Sequence, residues 1–410
     1  MTRADGPDGP PGWRALLAPD GAERLRGVEA EIAGGSDPSA VGAALRRAGA
    51  EPDEVSALLT QADLRRRARA KFGALASRLL FTPAGLEQAT RAPIAALHAA
   101  RFARAGCASV ADLGCGIGAE SLAIAGAGLT PAPVELDPFT ARLAAHNLRA
   151  VGCDAEVRVG DAEALPLAHG VDGAFLDPAR RTAGHRDTRR LASHGDYSPS
   201  LGFAFSHGDR MPTGVKLGPG LDRDLIPENA EAQWVSSDGQ LVEMGLWFGA
   251  AARPGIGRAA LVHRSGRDGD DHVHELTASA DTPDAEARGL GEFLYEPDGA
   301  VIRARLIGLL AEQLGAGMVS ARIAYLTGDE LVPTPFAAAF RVLERLPAKE
   351  KQLRKALAAR EIGRLEIKKR GADVDPAQLR SRLKLQGSRS ATLFLTREGE
   401  RHVALLAERC

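Results

Sequence analysis

Cysteine is scarce in this 410-residue chain, which has four of them: Cys107, Cys115, Cys153 and Cys410. No two have the spacing of zinc ligands and no disulfide framework is visible, so we expect neither a metal site nor a disulfide-stapled secreted domain. No apolar run approaches the roughly 18 residues of a membrane helix. The Pro- and Gly-rich N-terminus also lacks the apolar core of a signal peptide. These absences predict a protein of a reducing cytoplasm, without membrane association.

A strong excess of one charge is also missing, because the formal net charge of the whole chain is −1. Charge is nevertheless divided unevenly, since residues 341–410 contain 18 Lys and Arg against 9 Asp and Glu. A basic segment of this kind is typical of a surface that meets a polyanion such as RNA. A solvated basic helix face would have the same composition, so both interpretations stay open at this point.

Periodicity divides the chain into four regions. Apolar residues three or four apart predict a helical N-terminal region over residues 1–105. Residues 106–290 alternate between short apolar strands and helical segments, which indicates an α/β class with a doubly wound, Rossmann-like, seven-stranded core. A connector over 291–335 and a small, basic α+β domain over 336–410 complete the predicted organisation.

The predicted core strands are 108–112, 132–136, 155–159, 172–176, 213–217, 241–248 and 258–263. The last two lie close together, with Arg253–Gly257 between them, and predict an antiparallel hairpin at the sheet edge. The Asp-rich residues 266–290 predict a loop, and 297–315 a helical connector.

In the last region, the pattern predicts a helix near 336–346 and a strand at Leu365–Lys369. Asp375 and Pro376 indicate the start of a short helix, as N-cap and first helical residue. Two further strands are expected at 391–396 and 402–406, joined by a turn.

Residues 110–118 form the most informative motif of the chain. An apolar run ends at Asp112, and Gly114, Gly116 and Gly118 follow before a helical segment. In α/β sheets, a strand followed by a glycine turn and a helix forms the first part of the nucleotide pocket. The third glycine comes one residue earlier than in the dinucleotide G-x-G-x-x-G motif. A carboxylate beside the turn suits a cationic ligand such as S-adenosylmethionine, and the motif resembles motif I of class I S-adenosylmethionine-dependent methyltransferases.

Two further candidate binding positions follow the next predicted strands; we call each such position at a strand end a station, and the glycine turn with Asp112 is the first. Glu135 closes the second strand, where a carboxylate can accept hydrogen bonds from two ribose hydroxyls. Asp137 and Pro138 instead predict a helix N-cap. The third strand ends before Asp161 and Ala162; in the methyltransferases that the turn resembles, this Asp accepts from the adenine amino group and the next N–H meets the ring. These residues, with the glycine turn and Asp112, are the predicted cofactor site.

The fourth strand ends at Asp177, Pro178, Ala179 and Arg180, where an acceptor would face the sulfonium methyl. This segment resembles the Asp/Asn-Pro-Pro-aromatic motif of methyltransferases that act on amino groups of nucleobases or glutamine. The resemblance implies that Asp177 and a backbone carbonyl orient the target NH₂, which makes Asp177, Pro178 and Arg180 the catalytic candidates. Ala179 and Arg180 replace the second proline and the aromatic residue, and an Arg plane can also stack on a base.

Arginine is concentrated next to this predicted reaction centre. Bidentate contact with phosphate is a natural use of guanidinium groups, which makes substrate-binding candidates of Arg181, Arg186, Arg189 and Arg190. A surface loop that pairs with the acidic remainder of the chain is the alternative. Lys216, near the end of the fifth strand, is a further substrate-binding candidate, and a purely structural strand end is equally consistent with it.

The order of these motifs resembles a bacterial family of class I methyltransferases with a C-terminal THUMP-like domain. The resemblance covers most of the chain and is carried by residues 80–90, 177–181, 215–220 and 365–407. The resemblance implies S-adenosylmethionine as cofactor, and because THUMP domains are associated with RNA binding it also implies an RNA substrate. Together with the segment at Asp177, it leads us to expect a base nitrogen of rRNA or tRNA as acceptor. A methyltransferase for a protein or small molecule, or a non-catalytic RNA-binding protein that keeps the pocket, is the alternative.

Overall fold

A computed structural model describes residues 9–180, 197–266, 270–399 and 401–410 of the chain. The chain divides into two compact units. Unit 1 comprises Met1–Leu217 and Trp247–Ala252, and unit 2 comprises Gly218–Leu246 and Arg253–Cys410. Throughout the described ranges, no helix is long and apolar enough to cross a membrane.

The N-terminal part of unit 1 is helical, as the apolar spacing predicts. Its helices are α1 (Trp13–Leu17), α2 (Gly21–Ala33), α3 (Pro38–Arg47), α4 (Pro52–Phe72), α5 (Pro83–Gln88) and α6 (Ala92–Arg104). Pro38 and Pro52 stand at the start of α3 and α4, where a missing N–H breaks no helical bond. The rings of Trp13 and Phe139 pack nearly perpendicular to each other with centroids 5.1 Å apart, so these helices share a core with the α/β part of unit 1.

The rest of unit 1 contains the predicted parallel sheet. Its elements are β1 (Ser109–Leu113), α7 (Ala119–Gly126), β2 (Thr130–Glu135), α8 (Pro138–Ala150), β3 (Arg158–Val159), β4 (Gly173–Leu176), β5 (Ala179–Arg180), β6 (Tyr197–Ser198), α9 (Leu201–Gly208) and β7 (Thr213–Leu217). The strands lie in the order β7-β4-β1-β2-β3, and all adjacent pairs are parallel. The order reverses beside β1, so the carboxyl end of β1 lies at the topological switch point. The third strand is shorter than the predicted 155–159.

The first strands of unit 2 correct two predictions. They are β8 (Glu231–Ser237), β9 (Gln240–Phe248, which ends in unit 1), β10 (Arg258–Arg264) and β11 (His272–Ala278). The predicted hairpin of 241–248 with 258–263 is wrong, because β8 lies between β9 and β10 and runs parallel to β10. A two-residue turn of Asp238 and Gly239, both at positive φ, joins β8 to β9 instead.

The predicted loop over 266–290 is also wrong in part, because β11 lies within it. This strand pairs antiparallel with β10 at the edge of the sheet. Only Leu276 of β11 is buried, and His272 and His274 are exposed. An edge strand with so little apolar surface carries a weak sequence signal, since its stability comes from pairing with its neighbour.

The remainder of unit 2 is built on a second sheet. Its elements are β12 (Phe293–Pro297), α10 (Gly299–Arg303), α11 (Ile307–Leu314), β13 (Gly317–Ser320), β14 (Ile323–Gly328), β15 (Ala337–Leu346), α12 (Glu350–Ala358), β16 (Ile362–Lys369), α13 (Pro376–Leu383), β17 (Arg389–Glu398) and β18 (Arg401–Arg409). The strand order is β13-β14-β12-β15-β18-β17-β16. The strands expected near 365, 391 and 402 are confirmed, and Asp375 accepts from the N–H of Gln378 as the cap of α13.

The predicted helix at 336–346 is wrong, because these residues form β15. The segment is rich in Ala, Leu and Arg, which favour helices when taken alone. In the structure, β15 pairs antiparallel with both β12 and β18, and Phe340 is fully buried between them. Pairing and burial therefore override the local helix propensity.

Candidate active site

The glycine turn follows β1 and leads into α7. Gly114, Gly116 and Gly118 have φ values of 91°, 55° and 88°, a left-handed region that favours glycine. Gly118 is also the N-cap of α7. A Cβ atom added at Gly116 would meet nothing within 4 Å, so the middle of the turn faces open space. The turn can therefore let a ligand approach its backbone closely.

Glu135 at the end of β2 is tied to this turn. Its carboxylate accepts the N–H of Gly116 at 2.8 Å through Oε2 and the N–H of Asp137 at 3.0 Å through Oε1. A carboxylate has about four lone-pair positions, so further donors such as two hydroxyls can still be accepted. Asp137 caps α8 by accepting the N–H of Thr140 at 2.7 Å, which confirms its predicted structural role.

The third station lies next to the second. The N–H of Gly160 donates to the carbonyl of Glu135 at 2.9 Å, which brings the end of β3 beside the end of β2. Asp161 is exposed and accepts the N–H of Glu163 at 2.9 Å, whereas Ala162 is buried. The three predicted cofactor stations therefore lie on one edge of the sheet.

Asp112 lies beneath the turn rather than on its open side. It is 1% exposed, and its Oδ2 accepts the hydroxyl of Ser121 on α7 at 2.5 Å. Burial, with smaller contributions from Glu120 and Asp177, raises the pKa of Asp112 to about 7. The hydrogen bond to Ser121 fastens the end of β1 to α7.

The fourth station brings Asp177 and Lys216 together. Asp177 follows β4 and Lys216 lies on β7, which pairs parallel with β4. The ammonium of Lys216 lies 2.5 Å from Oδ2 of Asp177 and donates to the hydroxyl of Thr90 at 3.1 Å. The side chain of Lys216 is 11% exposed and that of Asp177 is 37% exposed, so the pair joins an enclosed cation to an accessible carboxylate. Pro178, which follows Asp177 in the sequence, is buried.

Four further residues lie near this pair, namely Lys71, Thr90, His98 and Glu120. Thr90 ends the 80–90 segment that carries the family resemblance, but no sequence pattern indicates a role in the site for any of the four. Glu120, in the first turn of α7, is buried and lies 3.2 Å from Nδ1 of the buried His98. Burial opposes ionisation of Glu120, but His98, Lys216 and a hydrogen bond from Thr90 lower its pKa below the ordinary value. The ammonium of Lys71 donates to the carbonyls of Leu86, Glu87 and Ala89, and so holds the end of α5 that leads to Thr90.

Most of the predicted arginine cluster falls outside the described residues. These positions are Arg181, Arg186, Arg189 and Arg190. For Arg180 only the backbone is described, and it pairs with Tyr197 in the short β5–β6 ladder. Within the described residues, no group of three or more His, Cys, Asp or Glu side chains could hold a metal ion.

The parallel strand order and the glycine turn at its switch point define an α/β enzyme that binds a nucleotide-like cofactor. Comparison with known proteins specifies the cofactor. The chain is 35% identical over 345 residues to an uncharacterized S-adenosylmethionine-dependent methyltransferase of Mycobacterium tuberculosis, found in strains CDC 1551 and H37Rv, with 82% of this chain and 91% of the relative covered. This protein belongs to the S-adenosylmethionine-dependent methyltransferases, and S-adenosylmethionine is its cofactor.

Two family models and one solved structure also match the chain. Residues 337–409 match the THUMP domain-like family, and residues 10–68 match a domain of unknown function, DUF8688. A crystal structure described as a methyltransferase from Porphyromonas gingivalis W83 covers 88% of this chain and 92% of its own, with a TM-score of 0.68 and 23% identity. That likeness shows the α/β methyltransferase fold with a helical N-terminus and a mostly β C-terminal part.

The described residues fit S-adenosylmethionine. The open space at Gly116 leaves room for a ligand against the turn, and the carboxylate of Glu135 stands next to it. Exposed Asp161 and buried Ala162 supply an acceptor and an apolar contact at the neighbouring strand end. A cationic, adenosine-containing ligand matches this combination of carboxylates and backbone donors.

Proposed function

We propose that this methyltransferase acts on an amino nitrogen of a base in RNA, with rRNA or tRNA as substrate. The single observation that carries the chemistry is Asp177, an accessible carboxylate that lies after β4 and is held by Lys216. The observation that favours RNA is the basic C-terminal part, together with the THUMP-like match over residues 337–409. A methyltransferase for a protein or small molecule would not need this second feature.

The proposal gives each cofactor station a task. Glu135 accepts hydrogen bonds from the two ribose hydroxyls, and Asp161 and Ala162 meet the adenine through the side chain and the backbone N–H. The backbone of Gly114, Gly116 and Gly118 surrounds the methionine part, and Asp112 adds negative charge beneath it. When bound, S-adenosylmethionine supplies a methyl group on a positively charged sulfur, which is already activated for displacement.

The residues at the fourth station orient the acceptor. Asp177 accepts a hydrogen bond from the target NH₂, which turns the nitrogen lone pair toward the methyl group. Pro178 fixes the backbone whose carbonyl accepts the second N–H, and Arg180 stacks on the base or contacts its phosphate. Methyl transfer then depends mainly on position and on exclusion of water. Arg181, Arg186, Arg189 and Arg190 are the proposed phosphate contacts beside this centre.

The basic C-terminal part offers a second place for RNA. A groove of about 840 Å³ in unit 2 is lined by Arg364, Arg380 and Arg409, with the hydroxyls of Ser390 and Thr392 nearby. The groove also contains two carboxylates, Glu366 and Glu408. Guanidinium groups beside hydroxyls suit a sugar–phosphate backbone, and phosphate contacts of this kind position RNA without reading its sequence.

Mass spectrometry of modified nucleosides tests the proposal directly. RNA from cells without the gene should lack one N-methylated nucleoside that is present in wild-type RNA. The purified full-length protein should restore it with S-adenosylmethionine, and the Asp177→Ala variant should not. Methyl incorporation into protein but not into RNA from the same cells would contradict the proposal.

A further inference from the structure

Lys216 stands between the accessible Asp177 and a buried group of charged residues. Its ammonium contacts Oδ2 of Asp177 at 2.5 Å and the hydroxyl of Thr90 at 3.1 Å. We propose that Lys216 is a positioning residue that holds Asp177 in place for the acceptor, and that Thr90, Glu120 and His98 hold Lys216. This inference rests on the proposed role of Asp177 and replaces direct substrate binding as the expected task of Lys216.

The side chain of Lys216 is largely enclosed by the protein. With a side chain that is 11% exposed, Lys216 has little surface to offer to an RNA phosphate. A buried ammonium is stable only when anions and acceptors surround it. Asp177, Glu120 and the Thr90 hydroxyl supply that environment, so the contacts of the ammonium are made within the protein.

A series of contacts also connects Lys216 to α7. Glu120 lies in the first turn of α7, directly after the glycine turn, and is paired with His98 at 3.2 Å. The Thr90 hydroxyl accepts from Lys216 and donates to Glu120. The chain Asp177–Lys216–Thr90–Glu120–His98 therefore links the acceptor side of the site to the helix that starts at the cofactor turn.

The orientation of the Asp177 carboxylate determines whether it can accept from the target NH₂. An Asp carboxylate rotates readily about its terminal bond, and rotation would turn away the oxygen that accepts from the target NH₂. The contact with Lys216 fixes Oδ2 and so restricts this rotation. Because in-line transfer requires close alignment, a misplacement of about 1 Å can lower the rate by roughly 100-fold.

The kinetic test compares Lys216→Met with Lys216→Arg on RNA from cells without the gene. We expect Lys216→Met to lower kcat by about 100-fold, with the KM for RNA and the calorimetric Kd for S-adenosylmethionine nearly unchanged. Lys216→Arg keeps the charge and should retain more activity. In an Asp177→Asn background, Lys216→Met should have less than about a threefold effect, since the ion pair is already weakened. Arg104→Met, an exposed change on α6, is the control.

A different kinetic result would overturn the proposal. If Lys216→Met raises the KM for RNA while kcat stays unchanged, Lys216 binds the substrate directly. Equal effects of Lys216→Met in the wild-type and Asp177→Asn backgrounds would show that the two residues act independently. Circular dichroism of each variant identifies those that fail to fold, and the Arg variant then carries the comparison.

A second measurement does not depend on the acceptor. Isotope-coded acetic anhydride labels amines, and mass spectrometry reports the labelling rate of Lys216 relative to the exposed Lys351 in the full-length protein. We expect Asp177→Asn and Thr90→Val to raise the rate at Lys216 several-fold. An unchanged rate in both variants overturns the pairing. If the wild type methylates no RNA, the proposed function fails, and the labelling result still decides whether Lys216 is held as described.

Discussion

The carboxylate of Glu135 accepts the backbone N–H of Gly116 at 2.8 Å, which ties the end of β2 to the middle of the glycine turn. One side chain thus stabilises the glycine turn and also stands where we propose that the ribose hydroxyls bind. Changes at Glu135 should therefore affect cofactor affinity both directly and through the conformation of the turn.

Replacement of Glu135 by alanine should weaken S-adenosylmethionine binding. Hydrogen bonds to a charged group contribute about 1.5–3 kcal/mol each, so removal of the ribose hydrogen bonds predicts a rise in Kd of at least roughly tenfold. Isothermal calorimetry measures this change. Glu156→Ala removes an exposed carboxylate before β3 and should leave the Kd unchanged. Equal affinity of the Glu135→Ala variant and the wild type would contradict the proposed ribose contact.

Comparison of Gly116→Ala with a matched glycine substitution should distinguish a loss of cofactor binding from a loss of stability. The residue has φ +55°, so alanine should cost about 1–2 kcal/mol of unfolding free energy. The added methyl group would also enter the open space in which we place the cofactor. Gly128→Ala is a matched control, because Gly128 has φ +79° and likewise no atom within 4 Å of an added Cβ. Urea unfolding should show similar destabilisation of both variants, and calorimetry should show that binding is abolished in Gly116→Ala alone.

Asp112 should make stability depend on pH. Its pKa rises from 3.8 in the unfolded chain to about 7 in the fold, because burial disfavours the charged form. The folded state therefore binds more protons between these values, and the contribution of Asp112 to stability is lost as pH rises from about 4 to about 7. Asp112→Asn, which cannot ionise, should lack this loss. Urea unfolding at several pH values should show that the unfolding free energy of the variant rises relative to that of the wild type as pH rises. A difference that stays constant with pH would contradict the buried state of Asp112.

Lys71 should stabilise the fold. Its ammonium donates to three backbone carbonyls at the C-terminal end of α5, and burial, followed by Arg91 and Lys216, lowers its pKa to about 8. Lys71→Met would leave these carbonyls without their donor and should lower the unfolding free energy by roughly 2–4 kcal/mol. Lys351→Met, an exposed change on α12, is the control for loss of a lysine charge. Thermal and urea unfolding measure the difference, and near-equal stability of the two variants would rule out the capping role.

Substitution of the groove arginines should weaken RNA binding and leave cofactor binding unchanged. Replacing Arg364 and Arg380 with glutamine should weaken RNA binding and reduce the salt dependence of log Kd by about one for each phosphate that is no longer bound. The Kd for S-adenosylmethionine should stay the same. Arg26→Gln, an exposed change on α2, is the control. Fluorescence anisotropy with labelled RNA at several salt concentrations measures the slope, and an unchanged slope would remove the groove from the proposed RNA surface.

Local signals explain what could be predicted from the sequence. The glycine turn, the end of β2 at Glu135 and the cap at Asp137 each depend on residues within a few positions of one another. Their conformations follow from backbone preferences and short-range hydrogen bonds, which sequence patterns record. The carboxyl ends of the parallel strands then meet because of the sheet topology, which the strand–helix alternation also indicates.

Long-range pairing explains what could not be predicted. The segment 337–346 has helical composition and becomes a strand because β12 and β18 lie on both sides of it. The connection of Lys216 to Thr90 spans 126 residues, and nothing in the local sequence indicates that Thr90 or Glu120 lies beside Lys216. The Asp238–Gly239 turn is different, because the Asp-Gly pair is a local hairpin signal that the sequence itself contains.

The anchoring of α5 by Lys71 determines where a shortened enzyme could begin. A protein that starts at Gly106 would keep the glycine turn, Glu135, Asp161 and Asp177. It would lose both Thr90, which contacts Lys216, and His98, which pairs with Glu120. Such a fragment could look complete by its motifs and still lack part of the site. On the proposed role of these contacts, we expect the smallest catalytic unit to include α4, α5 and α6.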